Sequence, residues 1–312
     1  MAEMIINDIP IYAGDRKLIR LNISRLPSGT EINIPIHVFR AQEPGPVLLL
    51  MAGMHGDEVN GVEMIRRMIR RDLLRPLCGT VLAIPILNIY GFLNFSREVP
   101  DGKDVNRSFP GNAKGSLASR VAARFTKEIL PLVDYGIDFH TGGRSKSNFP
   151  QIRCRLEDGE SDTLARAFGA PFVLNSNYRP GSLRKEASNL GKTIIVYETG
   201  ESLRLDEPGI ILGLEGTRRV MHHLGMAADS VPASQPSIIC QSTTWIRAPR
   251  AGLFRSFVRN GQQVNRGQQV GAVSDPYGYA THPITSHVSG HVVGLNNMPV
   301  VNQGDAILHI GY

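Results

Sequence analysis

Two short segments carry side chains of the types that hold a metal and cleave an amide. Gly53-Met54-His55-Gly56-Asp57-Glu58 follows the apolar run Val47 to Ala52, and Asp138-Phe139-His140-Thr141 closes a second strand-like run. A hydrolytic zinc ion takes three protein ligands and keeps a fourth position for water, with imidazole nitrogens and carboxylate oxygens among the usual donors. His55 and Glu58 supply two of these. If the chain turns into a helix just after His55, a separation of three lets both side chains converge on one point. His140, at the neighbouring strand end, supplies the third, so one zinc ion per chain is expected. Asp138 lies two residues earlier on the same strand face, where its carboxylate can orient an imidazole. A His-x-x-Glu pair alone commonly sits on a solvated helix face, and a lone strand-end histidine is commonly structural. Their combination at two strand ends is what points to a metal.

Zinc lowers the pKa of its water to about 7, yet a carboxylate is still wanted to take the proton and pass it to the leaving amine. Glu198, in Val196-Tyr197-Glu198-Thr199-Gly200, ends the apolar run Thr193 to Tyr197 and is the first candidate. Glu201 is its rival. Arg97, Asn106 and Arg107 lie between the two ligand segments. An arginine there forks onto a substrate carboxylate or steadies an oxyanion, and Asn106 adds an amide hydrogen bond. For any single arginine the plainer alternative is a salt bridge to Asp101 or Asp104. The set points to hydrolysis of an amide beside a carboxylate.

Positioning these residues requires strands that end at one edge. From Pro46 the sequence alternates apolar runs with helical periodicity: Val47 to Ala52, a helix over Glu58 to Leu74, Val81 to Leu87, a helix near Leu117 to Leu132, then Gly136 to Phe139. Leu164 to Phe168 leads into Phe172 to Leu174, and Thr193 to Tyr197 precedes a helix near Gly209 to Leu224, with Pro208 where a first-turn proline is tolerated. The alternation predicts an α/β fold: a mixed, largely parallel sheet covered by helices, preceded by a β extension over 1–45. Ile89 to Gly115 has no period and is long for an idle connection. In open α/β sheets ligands gather beyond the carboxyl ends of the strands, where His55, the 88–107 segment, His140 and Glu198 all fall.

Composition shifts over Ala227 to Ser237, and we place a domain boundary there: 1–235 as the hydrolase unit, 236–312 as a small all-β barrel-like unit. In the latter, Gly252, Val264, Gly267 and Val270 recur as Gly290, Val301, Gly304 and Ile307, as in the two halves of biotinyl or lipoyl modules. The hairpin Asp275-Pro276-Tyr277-Gly278 lacks a lysine for a swinging cofactor, so a structural or site-shaping role is expected.

The 312 residues are enough for a large core. The net charge of +6 comes from basic residues interspersed with acidic ones, with few aromatics, which argues against nucleic acid and suits a small anionic substrate. Cys78, Cys154 and Cys240 have no metal-knuckle or redox spacing and read as reduced core residues. Met1 to Arg20 has no basic-then-apolar pattern, and no apolar run approaches the length of a membrane span, so a cytoplasmic protein with no membrane partner is expected. Oligomeric state is not written in these patterns.

Taken together, Gly-x-His-Gly-Asp-Glu (53–58), Asp-Val-Asn-Arg (104–107), Asp-Phe-His (138–140) and Glu-Thr-Gly (198–200) resemble the succinylglutamate desuccinylase/aspartoacylase family, a branch of the zinc carboxypeptidase-like fold. The resemblance runs from about Pro46 to Gly225, and an appended β domain is also seen in that family. It implies zinc on His55, Glu58 and His140, Glu198 as general base and then acid, Asn106 and Arg107 on the substrate carboxylate, and Arg97 supporting the oxyanion. Ser182, Arg184 and Lys185 are candidates for further substrate contacts, with Arg184 the one we select. Tyr277 and Tyr279 are candidates to reach the pocket from the β unit, with packing as the alternative. The short gap between Glu58 and His140 favours a deacylase of N-acyl amino acids over a metallocarboxypeptidase. A non-catalytic small-anion binding module is the rival from another class.

Overall fold

The computed structural model describes residues 4–26 and 28–312. At its centre four strands run parallel in the order Thr193–Glu201, Tyr135–Gly142, Glu43–Met51, Cys78–Ile84. Along Glu43–Met51 the side chains alternate between two cores: Leu48 and Leu50 enter one, Leu49 and Met51 the other. Such a period of two with both faces apolar is what a strand covered by helices on each side requires. Helices Asn60–Arg70, Gly159–Phe168 and Glu207–His223 cover the first face through Met64, Ile65, Phe168 and Ile210. Leu117–Glu128 and Leu183–Asn189 contribute Phe125 and Leu183 to the second.

The flanks correct the expectation of a largely parallel sheet. On one side Glu31–Arg40 and Arg16–Arg25 add antiparallel, and on the other Lys146–Cys154 does so beside Thr193–Glu201. The short return 26–30 permits only an antiparallel neighbour, and the tight turn 143–145 reverses the chain so that Lys146–Cys154 runs against Thr193–Glu201, which lies between it and Tyr135–Gly142; each central pair is joined by a longer crossover. The whole is therefore mixed, with a parallel centre. Ahead of the parallel centre come the pair Met4–Ile6 and Ile9–Ile11, the two long strands above, and the start of Glu43–Met51. The 89–115 segment is mostly irregular, with one short helix, Ile89–Leu93, and a single turn over Val105–Arg107.

Strands of the C-terminal segment continue the same sheet. Gly290–Asn296 pairs antiparallel with Lys146–Cys154, Ala306–Gly311 pairs with it in turn, and Thr243–Arg247 lies outermost. A separate four-stranded sheet of Thr281–Thr285, Gln269–Ser274, Gly252–Ser256 and Val300–Val301 shares an apolar core with them. Val264 and Val301, and Val270 and Ile307, the paired positions of the internal repeat, are all buried in that core. Among the described residues no helix is long and apolar enough to cross a membrane.

Candidate active site

Strand register brings the candidate residues together. Ile137, Phe139, Ile195 and Tyr197 point into the helix layer, so Asp138, His140, Val196 and Glu198 occupy the opposite face. Val196 lies beside Asp138 and Glu198 beside His140 in the parallel pair. In the antiparallel pair Val196 faces Arg153 and Glu198 faces Gln151. Directly opposed residues share a face, so three strands aim polar groups into one cavity of about 360 Å³.

His55 comes from the segment between strand and helix. The helix starts at Asn60, later than the expected Glu58, and His55 to Glu58 form a turn in which the Glu58 N–H donates to the His55 carbonyl at 3.2 Å. The turn still brings the two side chains together, at 2.7 Å from His55 Nδ1 to Glu58 Oε1. Gly56 permits this packing, because a Cβ there would lie 1.8 Å from the Gly91 carbonyl carbon. Across the cavity floor His140 Nδ1 lies 2.8 Å from Glu58 Oε2, which also accepts the Thr141 N–H at 3.0 Å. Ligand atoms of all three side chains lie within 4.8 Å of one another, and all three residues are buried.

Each imidazole has its second nitrogen on a carboxylate. His140 Nε2 is 2.8 Å from Asp138 and His55 Nε2 is 3.2 Å from Asp104. Burial alone would raise the Glu58 carboxyl, but His55 and His140 hold it well below the usual carboxylate range. Burial would lower His140, yet Asp138 and Glu58 raise it well above an ordinary histidine, and Glu58 with Asp104 raises His55 against the same penalty. A divalent cation would add positive charge where the carboxylates of Glu58, Asp104 and Asp138 converge on the two rings. Two imidazoles backed by carboxylates, converging on a third carboxylate, form a donor set that fits such an ion.

Glu198 is 8% exposed and lines the cavity, whereas a solvated strand-end carboxylate would be open. Its Oε2 accepts the Asn148 amide at 2.7 Å and its Oε1 lies 3.3 Å from Arg153 Nη1. Glu201 instead accepts from Asn297 at 2.8 Å and does not line the cavity. Arg97 reaches the metal-type cluster: it donates to Asp104 at 2.8 and 3.2 Å, and its Nη1 lies 3.2 Å from His55 Nδ1. The salt bridge to Asp104 expected of a plain structural arginine is thus present, but inside the cavity. Asn106 and Arg107 line the same cavity, with Asn106 Oδ1 accepting the Leu183 N–H at 3.0 Å. Burial, and then repulsion from Arg179 and Arg97, depress the Arg107 guanidinium despite Asp104.

Arg184 also lines the cavity, over the Tyr178 ring and donating to the Ser176 carbonyl at 2.6 Å, with a buried Nε that has no hydrogen-bond partner among the described residues. Ser182 is present and caps the helix that begins at Leu183, while Lys185 is exposed and does not line the cavity. Tyr277 and Tyr279 are 81% and 89% exposed, so they neither reach the cavity nor pack in a core. Asp275 accepts the Tyr277 and Ala280 N–H groups, so the hairpin closes on itself. The aromatic that does arrive from the C-terminal segment is Trp245, stacked on His309 with ring centroids 4.4 Å apart. Sequence reading missed Trp245, Asp104 as the partner of His55, and the Asn148 and Arg153 contacts to Glu198. Only Asp104, inside Asp-Val-Asn-Arg, carried a signal.

A buried two-histidine, one-glutamate cluster stands at the carboxyl ends of parallel strands with a further carboxylate facing it, a donor set that could hold a metal ion. Residues 44–224 match the succinylglutamate desuccinylase/aspartoacylase catalytic domain, and the chain belongs to that family. It is 27% identical to the N-alpha-acetyl-L-2,4-diaminobutyric acid deacetylase of Halomonas elongata, across 88% of this chain and 84% of that one. It superposes on a succinylglutamate desuccinylase/aspartoacylase from Rhodobacter sphaeroides with a TM-score of 0.84 and 26% identity, covering 96% of each chain. The product-bound ectoine utilization protein of Ruegeria pomeroyi gives a TM-score of 0.86 at 22% identity, over 99% of this chain and 98% of that one, a likeness of fold.

Proposed function

We propose that the protein is a zinc-dependent deacylase that hydrolyses the amide of an N-acyl amino acid or a similar small carboxylate. The observation that carries this reading is Glu198 beside His140 on one strand face, opening on the same cavity as the His55, Glu58 and His140 cluster. Those three residues would hold one zinc ion per chain. When bound, the ion supplies Lewis acidity, polarising the scissile carbonyl and making water acidic enough to lose a proton near neutral pH.

The remaining work falls to side chains. Glu198 takes the proton of the attacking water and returns it to the nitrogen of the departing amine, one carboxylate serving both steps. Arg97, whose Nη1 is 3.2 Å from His55 Nδ1, would steady the negative charge that grows on the carbonyl oxygen. Asn106, Arg107 and Arg184 grip the substrate carboxylate, and Arg153 and Arg179 add to the positive lining that draws a small anion in.

In this reading the chain has a hydrolase unit over 1–235 and a small barrel-like β unit over 236–312, akin to biotinyl and lipoyl modules, that shapes one cavity wall through Trp245. The test is mass-spectrometric product analysis of the zinc-loaded protein with N-acetyl-L-2,4-diaminobutyrate, N-acetylaspartate, N-succinylglutamate and C-terminal peptides. Free amino acid from an N-acyl compound is expected. Cleavage of peptides alone would make the same residues a carboxypeptidase, and silence on all four would leave a binding module.

A further inference from the structure

Asn148 occupies an unusual place for a buried polar side chain. On Lys146–Cys154 its cross-strand neighbours are Gly200 on one side and Gly294 on the other, so it lies between two positions that have no side chain. It is 7% exposed, and its amide nitrogen donates to Glu198 Oε2 at 2.7 Å. Glu198 and Gly200 flank a register irregularity, and this offset lets Asn148, directly opposite Gly200, reach the Glu198 carboxylate.

The far side of Gly294 is closed. Gly294 pairs with His309, and His309 pairs with Trp245, so one sheet face carries the row Trp245, His309, Gly294, Asn148 and then the Glu198 carboxylate. His309 is buried and stacks on Trp245 with an angle of 3° between the rings. A Cβ at Gly294 would stand 3.0 Å from Asn148 Oδ1 and 3.2 Å from the His309 Cβ, tighter than ordinary contact on both sides. With His309 pinned by the indole, the Asn148 amide is the group that would have to yield. A glycine inside a strand often marks such a close approach.

We propose that Asn148 is a positioning residue for Glu198, and that the C-terminal strand Gly290–Asn296 sets its geometry through the bare position Gly294. The inference rests on Glu198 being the base. A base that serves water and then the amine must hold one oxygen toward the reacting atoms, and the amide on Oε2 with Arg153 on Oε1 fixes the carboxylate plane. The last strands of the chain thereby take part in orienting a group that sits on a central strand.

The experiment is steady-state kinetics and metal content of the full-length zinc-loaded protein, using the N-acyl amino acid turned over fastest in the screen above. The variants are Asn148→Ala, Asn148→Asp, Gly294→Ala, the Asn148→Ala/Gly294→Ala pair, and Glu198→Gln. Misplacement of a catalytic group by about 1 Å costs up to about 100-fold, so Asn148→Ala is expected to lower kcat roughly 10- to 100-fold with little change in KM and one metal retained. Asn148→Asp keeps the shape but turns an acceptor toward Glu198, and is expected to be worse than Asn148→Ala. Gly294→Ala is expected to lower kcat alone and to add nothing in the Asn148→Ala background, the non-additivity of residues acting through one another. Wild-type kcat in Asn148→Ala, or a fully additive Gly294→Ala, overturns the proposal. If Asn148→Ala does not fold, wild-type kcat in Asn148→Asp overturns it equally. Turnover surviving in Glu198→Gln would instead sink the assignment of the base, a separate failure.

Discussion

The floor and the wall of the cavity are held together by different means. On the floor, His55, Glu58 and His140 bind one another, and each imidazole is backed by a carboxylate at 2.8 or 3.2 Å. Charge attracts charge there with little exposure to water, and the cluster keeps its shape by ion pairing that a cation can replace. On the wall, Glu198 is held by one amide and one guanidinium from a single neighbouring strand. A metal cluster must be rigid and strongly charged, whereas a base that gives its proton back is better held by donors that leave it an unpaired lone pair.

The largest expected effect breaks the floor. Glu58→Gln removes the carboxylate shared by both histidines and should weaken metal binding by more than about 100-fold, beyond the loss expected for an outer partner, with turnover falling in step. Metal analysis after dialysis checks it; full occupancy would remove Glu58 from the ligand set. Asp138→Asn and Asp104→Asn touch only the backing of the rings. Each should weaken metal binding by about 10- to 100-fold while Glu198 stays in place. Competition with a chelator measures this, and unchanged affinity in both would show that the backing carboxylates are ordinary structure.

Metal uptake should also depend on pH with a definite sign. Both histidines have raised pKa values in the metal-free chain, so their contribution to its stability is present below the unfolded value near 6.5 and is lost as pH rises through the folded values. Binding needs neutral rings, so protons leave as metal enters and affinity falls as pH is lowered. Calorimetry in buffers of different ionisation enthalpy reads the released protons, and zero release would contradict the raised values. The smallest effect sharpens the wall. Burial, with Arg153 and Arg179 nearby, pushes His309 down to about 3. Its contribution is therefore present above about 6.5 and lost as pH falls toward 3, adding a slope of about 1.4 kcal/mol per pH unit in that window. His309→Phe keeps an aromatic against Trp245 and should flatten this part of the stability profile, and an unchanged slope would mean that the histidine is not buried neutral.

The same contrast explains what the residue order made legible. His55 and Glu58 lie in one turn, Asp138 and His140 on one strand end, and Glu198 closes an apolar run, so local pattern located all five. The central parallel strands were legible for a similar reason, being short apolar runs between helical periods. Lys146–Cys154 was not, because it carries Lys146, Asn148, Pro150 and Arg153 with no apolar alternation, and a proline inside a run argues against a strand. With that strand unrecognised, Asn148 and Arg153 had no visible relation to Glu198. Trp245 depended on two further strand pairings and was equally hidden.

The most direct test of the account compares amine release by the wild-type protein and Glu198→Gln, each carrying one zinc ion per chain, on the same N-acyl amino acid. The account predicts free amino acid from the wild type and a rate lower by about 10²- to 10⁴-fold in the variant, the range a positioned general base contributes. Equal release from both proteins would contradict it.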